Sequence, residues 1–327
     1  MANSILMRMK SPAAALILLS IFFFGQAAAE ANVRVAASIK PVHSIVSAVM
    51  EGAGEPHLLM RGAGSHHDFS LRPSDASVLE KADVIFLIDK RMELTLVKPV
   101  EILARGARVV ELSNAESLVR RPWREGGAFE HDMDHHHGVH GHHDHGEENA
   151  DGSFDLHVWS DPVNAAAMAH MIAETLAAID PANAALYQGN AQDLLGRLED
   201  LAEDVASQVK SVGDKPYIVF HDSYRYFEDR FGLAPVGSAV VGKERSPGVK
   251  RIRELRKKIR DLGVVCVFSE PHFDQGLIAT IIEGTDIGSG TLDPLGVDVE
   301  DGPELYFTMM RNLAASFVDC LSIADGR

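Results

Sequence analysis

The 327 residues carry 47 acidic and 31 basic side chains, for a formal charge of −16. That acidity argues against nucleic acid and anionic membrane surfaces as partners, because both recruit proteins through Lys and Arg. A composition 46% hydrophobic and 24% charged is that of a globular protein, and the length suits two domains better than one core.

Residues 1–29 have the form of a secretory signal peptide. Arg8 and Lys10 precede an apolar run over 13–24, and Ala27, Ala28 and Ala29 offer a small-residue cleavage site before Glu30. The run is too short to span a bilayer comfortably, and no later stretch is long enough either. With no Cys at the cleavage site, a lipid anchor is not indicated. Cleavage removes Arg8 and Lys10 and no acid, which takes the charge from −16 to −18. The mature chain is expected to be exported, in a bacterium to the periplasm.

From residue 33 the chain alternates strands and helices. Strands are predicted at 33–37, 57–60, 84–88 and 108–112, with helices at 41–50 and 74–81. Pro41 opens the first helix, and Val42, Ile45, Val46 and Val49 share one face of it. Residues 84–88, VIFLI, are apolar throughout, as in a strand buried on both faces. Strands separated by helices imply crossovers and a mostly parallel sheet.

Residues 131–145, HDMDHHHGVHGHHDH, interrupt this pattern with eight of the sixteen histidines. They are His131, His135, His136, His137, His140, His142, His143 and His145, with Asp132, Asp134 and Asp144 among them. Only Met133 and Val139 could be buried, and Gly138, Gly141 and Gly146 loosen the backbone. Packing cannot repay the ordering entropy of such a segment, so it is expected to be a mobile loop. Dense neutral imidazole binds zinc, copper or nickel in many interchangeable ways. An expression tag is a poor alternative, since the run is mid-chain and broken by Asp and Gly.

After the loop, Asp161 is a good N-cap and Pro162 a good first residue for a helix to about 179. A second helix is predicted over 182–212, about 45 Å long at the standard rise. Leu194, Leu198, Leu201, Val205 and Val212 form its apolar stripe. Strands follow at 217–220, 264–268 and 287–292, and helices at 223–231, 247–261, 273–283 and 304–323. The 247–261 helix is strongly basic; in an acidic chain its charges suit a solvated face better than a nucleic-acid site. The expected fold is α/β, with two lobes, each a mostly parallel sheet flanked by helices, joined by a long rigid helix. The lobes are assigned to 30–181, including a His-rich loop at 125–152, and to 213–327, with 182–212 between them.

The two cysteines, Cys266 and Cys320, are most simply a disulfide in an exported protein. Two thiolate metal ligands are the competing reading, without the close spacing that zinc sites usually show.

Four positions combine chemistry with a favourable place. His67 lies in a glycine-rich turn after the 57–60 strand. His157 precedes a helix cap, His221 ends the 217–220 strand, and Asp293 follows the 287–292 strand. In open α/β sheets ligands gather beyond the carboxyl ends of strands, so two residues from each lobe could face one cleft. Three imidazoles and a carboxylate suit tetrahedral zinc.

The stretch GSHHDFSLRPSD at 64–75 resembles the first ligand motif of metal-binding solute-binding proteins of ABC importers, most closely the zinc-specific, ZnuA-type branch. The resemblance continues through LHVW at 156–159, FHDSY at 220–224, FSEP at 268–271 and GTLDPLG at 290–296. It covers essentially the whole mature chain in the right order, and the His-rich loop falls where that branch carries one. The resemblance implies two lobes, a long connecting helix and zinc held between the lobes. It also implies that His67, His157 and His221 are zinc ligands, that Asp293 is a fourth, and that Cys266 and Cys320 are paired. Some zinc members use a Glu before the first His, or a water, in place of Asp293; here that preceding residue is His66, so the fourth donor stays open. Manganese members differ by placing a carboxylate where His221 stands.

The resemblance implies a binding protein, not an enzyme, that captures Zn2+ as its transported ligand. Its partners would be a membrane permease with a cytoplasmic ATPase. A periplasmic zinc chaperone is a further candidate partner, and the protein itself is expected to be a monomer. Two other readings fit parts of the sequence. A secreted zinc hydrolase would need a positioned base or an HExxH motif, and neither is found. A metal buffer without a transporter would rely mainly on the loop.

Overall fold

Two four-stranded sheets, parallel at every pairing, organise the chain. The computed structural model describes residues 33–61, 71–124, 154–240, 248–271 and 275–323. The first sheet contains β1 (Val35–Ala37), β2 (His57–Leu58), β3 (Val84–Leu87) and β4 (Arg108–Glu111) in the order β2-β1-β3-β4. The second contains β5 (Tyr217–Val219), β6 (Pro235–Ser238), β7 (Cys266–Ser269) and β8 (Gly288–Thr291) in the order β6-β5-β7-β8. Each sheet thus starts on an inner strand, steps to one edge and crosses back. The connections diverge between β1 and β3 and again between β5 and β7, and in open parallel sheets such a switch point opens a ligand crevice at the carboxyl ends.

The first sheet carries α1 (Lys40–Val49), α2 (Pro73–Lys81) and α3 (Leu94–Leu103); the second carries α6 (Arg225–Phe231), α7 (Val249–Asp261), α8 (Gln275–Ile282) and α9 (Leu305–Leu321). Between them run α4 (Pro162–Ile179) and α5 (Ala184–Val209), which pack along each other. Asp161 caps α4 as expected, its Oδ1 accepting the Val163 amide at 2.9 Å. The long helix is shorter than its sequence pattern suggests. A 3-10 turn at Pro181–Asn183 precedes it, and its 26 residues span about 39 Å. Tyr187, Ala191, Leu194, Leu198, Leu201, Val205 and Val209 are buried on it at spacings of three and four. Through that stripe α5 touches both α1 and α9, so one helix lies against elements of both sheets.

The strands divide the core by their period of two. Tyr217 and Val219 of β5 join a cluster with Phe268 and Phe317, whereas Ile218 and Phe220 face Leu255 and Ile259 of α7 and Ile278 and Ile281 of α8. Helix α7 accordingly buries Leu255 and Ile259 and leaves Arg253, Lys257 and Arg260 exposed. Cys266 of β7 and Cys320 of α9 form a disulfide with Cα atoms 6.0 Å apart.

Two elements have no clear sequence signal. Pro99 lies inside α3, where its missing N–H speaks against a helix. β6 has the sequence PVGS, and its proline survives because it is the first residue of an edge strand. Residues 1–29, the 125–152 loop, and His66 and His67 lie outside the described residues.

Candidate metal centre

Two of the four predicted positions meet. His221 follows β5 at the β5/β7 switch point, and His157 immediately precedes a 3-10 turn at Val158–Ser160. Their ring centroids are 5.1 Å apart with the planes inclined at 76°. Both residues are buried, at 3% and 8% exposure.

The segment around His157 is held by partners on the second sheet. The Tyr226 hydroxyl of α6 donates to the Asp155 carbonyl at 2.6 Å and accepts the Arg121 amide at 3.0 Å. Arg230 of the same helix grips both carboxylate oxygens of Asp161 at 2.8 Å. Trp159, fully buried, donates its indole N–H to the Pro294 carbonyl at 2.8 Å, and the Tyr306 hydroxyl of α9 donates to the Trp159 carbonyl at 2.7 Å. His157 therefore precedes α4 in the chain yet is fastened to α6, α9 and the loop after β8. Trp123 and Trp159 flank its ring, with centroids 6.0 and 5.4 Å away.

A carboxylate stands behind each ring. Asp155 Oδ1 lies 2.7 Å from Nδ1 of His157, so that nitrogen donates. Glu270, the residue after β7, has Oε1 3.6 Å from Nδ1 of His221, beyond hydrogen-bond length, while it accepts the Tyr224 hydroxyl at 3.0 Å. Next to His221, Asp222 shares the Arg124 guanidinium with Glu228, at 2.8 and 2.6 Å. Burial pushes Glu228 up to about 7 although Arg124 opposes the shift, and burial also raises Asp222. Residues 121–124 are thereby bonded to the second sheet's lobe, and they pair with the chain beyond the His-rich insertion through the Pro122–Phe154 bridge.

Asp293 is differently engaged. Its Oδ1 accepts the Leu295 amide at 3.1 Å and its Oδ2 the Val297 amide at 2.6 Å. Burial raises its pKa, and those amides oppose the rise. Among the described residues no group of three or more His, Cys, Asp or Glu gathers as a metal cage. Of the predicted ligands, His157 and His221 come together, Asp293 holds its own loop, and His67 lies outside the described residues, as do the eight histidines of 131–145. Sequence reasoning missed Asp155, Glu270 and Arg124. The only signals were the Asp155-Leu156-His157 spacing and the acid in FSEP.

Two parallel-sheet lobes sharing a long helix, with imidazoles at a switch point, define the class of two-lobed solute-binding folds. The family described as "Zinc-uptake complex component A periplasmic" matches residues 35–320, and the chain belongs to it. Its members are transport solute-binding proteins, not enzymes, with zinc as cargo. The "High-affinity zinc uptake system protein ZnuA" of Brucella suis biovar 1 (strain 1330) is 47% identical, over 92% of this chain and 95% of its own length. That of Yersinia pestis is 31% identical, over 89% and 92% respectively. A solved structure described as "Crystal structure of ZnuA" superposes with a TM-score of 0.72 at 19% identity, covering 89% of this chain and all of that one, and supports the fold.

Proposed function

We propose that this protein captures Zn2+ between its lobes and delivers it to the membrane permease of an ABC importer with a cytoplasmic ATPase. His157 and His221 are two ligands, His67 the third, and the fourth is Asp293, His66 or a water. The observation that carries the reading is the pair of buried imidazoles, 5.1 Å apart at a switch point. Imidazole is a good zinc ligand, and its protons must leave before the ion binds, so affinity falls as the pH drops through the histidine range. Residues 1–29 act as the export signal to the periplasm. Residues 30–181 and 213–327 form the lobes, and 182–212 includes the helix between them. The His-rich loop collects zinc near the cleft, and a periplasmic zinc chaperone and a monomeric state complete the reading.

Calorimetric titration of the mature protein tests the ligand set. His67→Ala, His157→Ala and His221→Ala should each weaken zinc binding by more than the roughly 10–100-fold typical of losing a group behind a ligand. Wild-type affinity in any one of them removes that residue from the set.

A further inference from the structure

The geometry points to Asp155 as a positioning residue that fixes which nitrogen of His157 faces the metal. This inference rests on His157 being a zinc ligand. Asp155 is 1% exposed, and its Oδ1 meets Nδ1 of His157 at 2.7 Å. A carboxylate accepts and does not donate, so the proton of the neutral ring sits on Nδ1 and the lone pair on Nε2. Nδ1 is thereby committed to Asp155, and Nε2 is the nitrogen left to hold zinc. Partners of this kind fix the tautomer and orientation of a metal-binding imidazole.

Asp155 is itself immobilised. Its amide donates to the Arg121 carbonyl at 2.8 Å, and its carbonyl accepts the Tyr226 hydroxyl at 2.6 Å. The ring is therefore aimed by a carboxylate whose own backbone is hydrogen-bonded on both sides. Glu270 is not equivalent, since it lies 3.6 Å from His221 and Tyr224 already donates to the same oxygen.

Asp155 Oδ1 also accepts the His157 amide at 3.0 Å, so a purely structural role as a turn former must be separated from positioning. The test uses the full mature protein, zinc-free and with 15N-labelled histidine. Imidazole NMR reads the His157 tautomer, and competition titration with Zn2+ reads affinity. Wild type should show His157 protonated at Nδ1. Asp155→Ala should lose that fixed tautomer and bind zinc about 10–100-fold more weakly. Asp155→Asn keeps a neutral acceptor oxygen and should retain the tautomer with a smaller loss. A wild-type His157 protonated at Nε2 overturns the inference whatever the variants do. So does an Asp155→Ala protein whose affinity falls while His157 stays fixed at Nδ1, or whose affinity does not fall. His157→Ala separates the two levels: wild-type affinity there refutes the ligand assignment itself. A large loss there with an unchanged Asp155→Ala refutes only positioning.

Discussion

His157 and His221 are buried with their ring centroids 5.1 Å apart, the geometry on which the proposed zinc site rests. Asp293 already has work to do, because its two oxygens hold the amides of Leu295 and Val297. Asp293→Ala should therefore lower stability by about 1–3 kcal/mol through those orphaned amides, as thermal unfolding would record. Its zinc affinity should fall less than in the histidine variants, since water can replace a carboxylate. Away from the site, Glu93 is fully buried, and burial pushes its carboxyl up to about 7 from 4.5 against the Asp89 amide that favours the anion. Between those values the folded state keeps a proton that the unfolded state has lost. Stability should then fall as pH rises through this window, by at most about 1.4 kcal/mol per pH unit for one group. Glu228 adds a slope of the same sign. Glu93→Gln should flatten the fall of the zinc-free protein, and an unchanged slope in denaturant titrations would contradict this.

The elements that position the site were legible where pattern and punctuation agreed. Val84–Leu87 is apolar throughout, and Asp161 with Pro162 marks the start of α4. Helix α3 and strand β6 were not legible, because tertiary packing tolerates Pro99 and Pro235 where local rules argue against them. His157 and His221 stand out in the sequence because each sits at the end of a sheet element or before a cap. Arg124 was invisible because its meaning depends on partners such as Glu228, 104 residues away, whereas Asp155 and Glu270 left only the weak signals of a D-x-H spacing and the acid in FSEP. The disulfide ties β7 to α9 across 54 residues, and replacing both cysteines by Ser should cost about 4 kcal/mol in the chain-entropy model, measured by denaturant unfolding. Beneath it, a Cβ at Gly290 would come within 2.7 Å of the Phe268 ring. Gly290→Ala should destabilise by about 1–3 kcal/mol through overpacking.

Across the molecule, the two sheets repeat one strand order, and α5 lies against elements of both lobes. His157 and His221 are held by packed structure, and preorganised ligands lose less on binding, so the cleft should be the tighter site. Replacing residues 131–145 by a short Gly/Ser linker should leave one tight zinc site, remove weaker ones and slow growth only when zinc is scarce. Nitrogen-rich coordination should also prefer zinc to manganese, and competition dialysis in which manganese displaced equimolar zinc would contradict that. The most direct measurement is a crystal structure of the mature protein with one equivalent of zinc, with anomalous data collected at the zinc edge. The expected result is a single strong peak about 2.0–2.1 Å from ring nitrogens of His67, His157 and His221. A strong peak in the His-rich loop with none between His157 and His221 would contradict the cleft as the transport site.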